Sequence, residues 1–74
     1  MTLSTVDQGN RVVVRHIQPS RMLTARLAAM GITEGSLVTV VSNKRHGPIL
    51  LDVEGTRIAI GRGIAEKIVV EPLS

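Results

Sequence analysis

The sequence predicts one small, mostly β domain, and three observations lead to that fold class. The chain has 74 residues and a mass of 7.9 kDa, which is enough for one hydrophobic core but not for two. Val, Ile and Leu account for 24 residues, and 17 of these are β-branched, which favours strands over helices. Turn-forming residues separate short apolar segments along most of the chain. We therefore expect a single domain over residues 1–74.

The first strand is predicted over residues 11–17, after a turn that ends at Asn10. Val12 and Val14 are two residues apart, so they point to the same face of a strand and are expected in the core. Ile17 is out of phase with them. It reaches the core only if a β-bulge interrupts the strand.

One α-helix is predicted over residues 21–30. Pro19 ends the preceding strand, and Ser20 offers a hydroxyl that can cap the first helical turn. Gly31 can adopt the left-handed conformation that ends a helix. The apolar side chains recur at helical spacing and are expected to cover one side of the sheet. They are Leu23, Leu27 and Met30.

The remainder of the chain predicts four more strands and one helical turn. Aliphatic residues alternate along each strand, and Glu54-Gly55 is a two-residue hairpin signal. The strands are expected over residues 37–42, 49–53, 56–60 and 68–71, with the helical turn at 61–66. Five short strands with one helix inserted after the first are typical of a small SH3-like β-barrel, whose closure removes the open edges of a sheet.

The residue types that the sequence lacks exclude several classes of function. The absence of cysteine excludes disulfides, thiolate nucleophiles and cysteine-based metal sites. The absence of Phe, Tyr and Trp removes the stacking platforms of many nucleic-acid-binding modules, although the net charge of +3 and the pI near 10.7 keep nucleic-acid binding as an alternative. The first residues do not resemble a signal peptide, and no apolar run is long enough to span a membrane.

No combination of residues predicts catalysis or a dedicated metal site. Neither histidine is spaced to pair with a serine and an acid, so we do not expect an enzyme. His16 and His46 belong to different elements, and a firm metal site needs three or four ligands. His46 is retained only as a weak candidate ligand for a divalent ion, alone or across a contact between two chains. It follows Lys44 and Arg45 in a short basic loop that could meet an acidic partner or nucleic-acid phosphate.

An ordered set of short fragments resembles the FeoA family of small ferrous iron transport proteins. Each fragment is short, but their order and spacing together are specific, and the resemblance spans residues 3–71. The fragments are Arg26-Leu27-Ala28-Ala29-Met30-Gly31-Ile32 with Gly35, Val38-x-Val40-Val41, Gly47-Pro48-Ile49, Ile58-Ala59-Ile60 and Ala65-x-x-Ile68-x-Val70.

The resemblance implies an SH3-like barrel in the prokaryotic cytosol. It also implies a role in supporting FeoB, a membrane ferrous iron permease with a cytosolic nucleotide-binding domain, by docking rather than by catalysis. Docking would place the protein at the inner face of the membrane through its partner. No cofactor is required, and a loosely bound Fe²⁺ or Zn²⁺ and weak self-association remain alternatives.

The expected contact surface combines the end of the helix with the basic loop. Leu27 matches a family position implicated in engaging the permease, which gives the helix its place in this surface. The full set of candidate partner-binding residues is Arg26, Leu27, Met30, Lys44, Arg45, His46 and Gly47.

Overall fold

Five antiparallel strands form one sheet in a computed structural model that describes residues 1–73. The strands are β1 (Arg11–Ile17), β2 (Leu37–Ser42), β3 (Ile49–Val53), β4 (Thr56–Ile60) and β5 (Ile68–Pro72), and they neighbour one another in the order β4-β3-β2-β1-β5. Helix α1 (Arg21–Ala29) follows β1, and the short helix α2 (Arg62–Ala65) follows β4. These elements confirm the predicted fold class and the position of the inserted helix.

The core lies on one face of the rolled sheet and contains only aliphatic side chains. Val12 and Val14 are buried as predicted, and so are the alternating residues of β2 and β3. A register shift between Val14 and His16 marks a bulge in the pairing of β1 with β5. The bulge returns Ile17 to the buried face, opposite Ile68, as its sequence phase required.

The sheet rolls up without closing through hydrogen bonds. Over residues 1–73, no ladder joins β4 to β5, so both strands are edges of the sheet. The expectation that closure removes the edges is therefore wrong. The segment between these strands is helical instead, and Ala65 of α2 is buried in the core.

The N-terminal segment contributes to the core, which the sequence did not predict. A single 3₁₀ turn spans Leu3–Thr5, and both Leu3 and Val6 are buried. Two apolar residues in a short polar segment give no periodicity, so only tertiary packing reveals their role. Thr2 forms an isolated bridge with Val69, which places this segment along the outer edge of β5.

Neither helix within residues 1–73 is long enough to cross a membrane. The longer one, α1, has 9 residues, whereas a span needs about 20 apolar residues.

Candidate interaction surface

Both ends of helix α1 are fixed by residues next to it in the sequence. At the start, the backbone N–H of Leu23 donates to Ser20 Oγ at 3.2 Å, which confirms the predicted N-cap. At the end, Gly31 has φ +84° and its N–H donates to the carbonyl of Ala28 at 3.0 Å. The N–H of Ile32 donates to the carbonyl of Leu27 at 2.8 Å. These two bonds form a Schellman motif, which sets the direction in which the helix ends.

The same motif explains why Leu27 and Ile32 occur five residues apart. In a Schellman motif the residue after the glycine packs against the residue three positions before the C-cap. Here those residues are Ile32 and Leu27, and both are 0% exposed. Leu27 therefore lies in the core and offers no side-chain surface to a partner in this conformation. Leu27 contributes to the expected contact surface only indirectly, because it holds the helix against the sheet.

The exposed part of α1 borders a groove that is largely apolar. Leu23 and Met30 are partly buried, and they face Ala59 of β4 and Ile64 of α2 across a space of about 390 Å³. Arg26 is exposed and lines the same space. We refer to this space as the helix groove. Its aliphatic walls can receive an apolar side chain, and the guanidinium group of Arg26 can pair with a carboxylate.

The basic loop between β2 and β3 is exposed throughout its tip. Lys44, Arg45, His46 and Gly47 are all exposed, and Arg45 and Gly47 have φ values of +70° and +74°. The backbone N–H of Arg45 donates to Asn43 Oδ1 at 3.3 Å, which is an Asx-type turn. The loop therefore exposes the side chains of Lys44, Arg45 and His46 to a partner.

Two polar residues that the sequence analysis did not single out hold the base of this loop. Asn43 Nδ2 donates to the backbone carbonyls of Ser4 at 3.0 Å and Val6 at 2.9 Å. Arg62 donates to Asn43 Oδ1 at 2.9 Å and to the carbonyl of Ser4 at 3.3 Å. These bonds connect the N-terminal segment, the basic loop and α2. An asparagine in a polar loop gives no sequence signal for such a role.

The helix end and the basic loop border two separate cavities. Arg45 and Arg62 line a polar space of about 290 Å³ with residues of the N-terminal segment, and this space shares no lining residue with the helix groove. Helix α2 lies between the two, because Arg62 lines one and Ile64 lines the other. The expected contact surface is therefore two patches on either side of α2.

The histidines are exposed and lie far apart in the sequence. His16 Nδ1 is 3.7 Å from Glu34 Oε1, and both side chains are more than half exposed. His46 lies at the exposed tip of the basic loop. In the part of the chain that the structure describes, no group of three His, Cys, Asp or Glu side chains could hold a metal ion.

Comparison with known proteins identifies the family. A model of the FeoA domain matches residues 1–72 of this chain. A curated Fe(2+) transport protein A of Methanocaldococcus jannaschii is 41% identical over 69 residues, which cover 93% of this chain and 83% of the relative.

Solved structures agree with this match. The crystal structure of an iron uptake regulatory protein, FeoA, superposes with a TM-score of 0.94 and 33% identity over 99% of this chain and 97% of that one. FeoA of Stenotrophomonas maltophilia, described as a prokaryotic SH3 domain protein complexed with zinc, has a TM-score of 0.82 and 29% identity over 96% and 89% of the two chains. The fold is thus an SH3-like barrel, and the chain belongs to the FeoA family of small ferrous iron transport accessory proteins.

Proposed function

We propose that this protein supports ferrous iron uptake in the cytosol by docking on an FeoB-type membrane permease. The observation that carries the proposal is the helix groove, in a chain whose family acts in ferrous iron transport. A partly apolar groove with one cationic side chain is suited to binding another polypeptide.

Docking is sufficient to influence transport without any chemistry in this chain. A bound protein shifts a partner's conformational equilibrium when it binds one conformation more tightly than another. A small barrel that favours one state of the permease would therefore change its nucleotide cycle or its assembly. The permease, through its own membrane spans, would hold this protein at the inner face of the membrane.

The contact surface proposed here is the helix groove, with the basic loop as a second patch across α2. Arg26 and Met30 contribute directly to the groove, and Leu27 supports them from the core. Residues 44–47 contribute positive charge at the second patch. Their exposure allows contact with acidic groups of the permease.

Charge reversal on α1 tests the proposal with a matched control. Arg26 and Arg21 are both exposed residues of this helix, but only Arg26 lines the helix groove. Arg26→Glu is expected to weaken binding to the detergent-solubilised permease by about tenfold, and Arg21→Glu by less than about twofold. Binding is measured by biolayer interferometry, and uptake of radiolabelled Fe²⁺ by a strain that carries each variant. Equal binding of both variants and wild type would contradict the surface, and an absence of wild-type binding would contradict docking itself.

A loosely held divalent ion at His46 is the second candidate, because the Stenotrophomonas maltophilia relative is described as complexed with zinc. One exposed imidazole binds such an ion only weakly unless a second chain adds ligands. Titration calorimetry with Zn²⁺ and Fe²⁺ tests it on the wild type and on His46→Ala. Heat that persists in the variant would remove His46 as the ligand.

A further inference from the structure

The two edges of the sheet differ in how well they are protected. The outer edge of β5 is covered, because Val70 N–H donates to the carbonyl of Met1 at 2.9 Å and Thr2 bridges Val69. Pro72 further limits pairing at the end of β5. Strand β4 has no comparable hydrogen-bonded cover: among residues 1–73 its only strand partner is β3, and α1 faces it across the open space of the helix groove.

Strand β4 is also regular, as a template for another strand must be. Its register with β3 runs without a shift from Val53–Thr56 to Ile49–Ile60, whereas the β1–β5 and β2–β3 pairs are both interrupted. It contains neither proline nor lysine, two of the residues that commonly blunt an exposed edge.

The hairpin between β3 and β4 determines which backbone groups face the open edge. Glu54 and Gly55 have φ values of +52° and +85°, as a type I′ turn requires. In such a turn the two flanking residues, Val53 and Thr56, form a hydrogen-bonded pair. Hydrogen-bonded and non-hydrogen-bonded residue pairs then alternate along the β3–β4 ladder. Arg57 and Ala59 consequently direct their N–H and C=O groups away from β3. These four groups form a continuous pairing edge.

The side chains next to this edge define what could pair with it. Ile58 is partly buried against the core, and it lines a space beside the end of α1 together with Met30, which also borders the helix groove. Arg57 is exposed on the outer face, and Arg26 lies in the groove. An added strand would therefore place aliphatic side chains beside Ile58 and a carboxylate beside Arg57.

We propose that β4 binds an extended segment of the partner as a sixth strand, and that this segment alternates aliphatic and acidic side chains. The inference rests on the proposed docking function and specifies its mode. A second copy of this chain fits the edge less well, because β4–β4 pairing would bring the arginines of two chains with net charge +3 together. Backbone hydrogen bonds would supply the pairing, and the alternate side chains would supply the specificity.

A proline substitution tests the backbone contact directly. Ala59→Pro removes an outward N–H and leaves the β3–β4 bonds in place, while Ala59→Val enlarges the side chain but keeps the N–H. The first variant is expected to bind the detergent-solubilised permease about tenfold or more weakly than the second, which reports the effect of a larger side chain in the helix groove alone. Circular dichroism checks that both variants are folded.

Amide hydrogen exchange on the wild type provides an independent measurement. In the free protein the amides of Ile58 and Ile60 should be protected by β3, and those of Arg57 and Ala59 should exchange freely. Adding the permease should slow exchange at Arg57 and Ala59 by about tenfold or more.

The outcomes separate this inference from the docking proposal. Wild-type binding with unchanged exchange at Arg57 and Ala59, or with full affinity in Ala59→Pro, would overturn strand addition and leave docking intact. Absence of wild-type binding would overturn both. Protection of the two amides by self-association alone, seen by sedimentation without permease, would overturn the assignment of the edge to a partner.

Discussion

Leu27 has a structural role in the core that its position in the sequence does not reveal. It shares a helix face with Leu23 and Met30, but only Leu27 is fully buried. Its carbonyl accepts the N–H of Ile32, and its side chain joins the same core cluster as Ile32. A polar substitution at this position would bury a polar side-chain group without a hydrogen-bond partner. The domain would then lose stability whether or not it binds a permease. Loss of transport in such a variant would therefore report unfolding.

Truncation of Leu27 is expected to destabilise the domain strongly. Leu27→Ala removes a fully buried side chain and leaves a cavity, which costs about 3 kcal/mol of unfolding free energy. A domain of this length has a total stability of roughly 4–11 kcal/mol, so the loss is large. Urea denaturation measures it. Met22→Ala is the control, because Met22 is 71% exposed and the change should stay within about 0.5 kcal/mol. Equal stability of the two variants would show that Leu27 is not part of the core.

Among the helices and strands, the end of helix α1 has the largest effect on the shape of the proposed contact surface. It determines where the chain turns back towards β2 and how Met30 lies along the helix groove. The left-handed residue that makes this turn is Gly31, and a side chain there would meet only Val53 Cγ1, at 3.8 Å. Backbone conformation, rather than space, therefore restricts this position to glycine.

Replacement of this glycine is expected to cost stability through its backbone alone. Gly31→Ala should lower the unfolding free energy by about 1–2 kcal/mol, because alanine is strained at φ +84°. Gly63→Ala is the matched control: Gly63 lies in α2, has no positive φ, and has open space around it. That change should leave stability unchanged or raise it by up to about 1 kcal/mol. Thermal and urea unfolding of both variants compare the effects, and equal losses would contradict the argument from φ.

The sequence predicts the individual strands and helices well, but it predicts poorly which strands lie at the edges of the sheet and which distant residues contact each other. Apolar alternation predicts the strands and the capping residues predict α1, because both signals are local. The phase of Ile17 relative to Val12 and Val14 even predicts the bulge before it. The open edge of β4 could not be expected, because strand number does not determine whether a sheet closes. The bonds of Asn43 also depend on residues 37 and 39 positions away, which no local pattern reveals.

The N-terminal segment completes the molecule, since it fills part of the core and covers the edge of β5. Deletion of residues 1–6 would remove Leu3 and Val6 from the core and the carbonyl of Met1 from Val70 N–H. Loss of two buried aliphatic side chains costs about 3–6 kcal/mol, which approaches the whole stability of a domain this small. The uncovered edge of β5 would also be free to pair with other chains.

We therefore expect the shortened protein to unfold at much lower urea concentration and to associate as its concentration rises. Circular dichroism and sedimentation velocity measure the two effects. A chain extended by Gly-Ser before Met1 keeps all six residues and should behave as the wild type, which separates loss of the segment from a changed terminus. A shortened chain that stayed monomeric and equally stable would show that the core and the β5 edge do not depend on this segment.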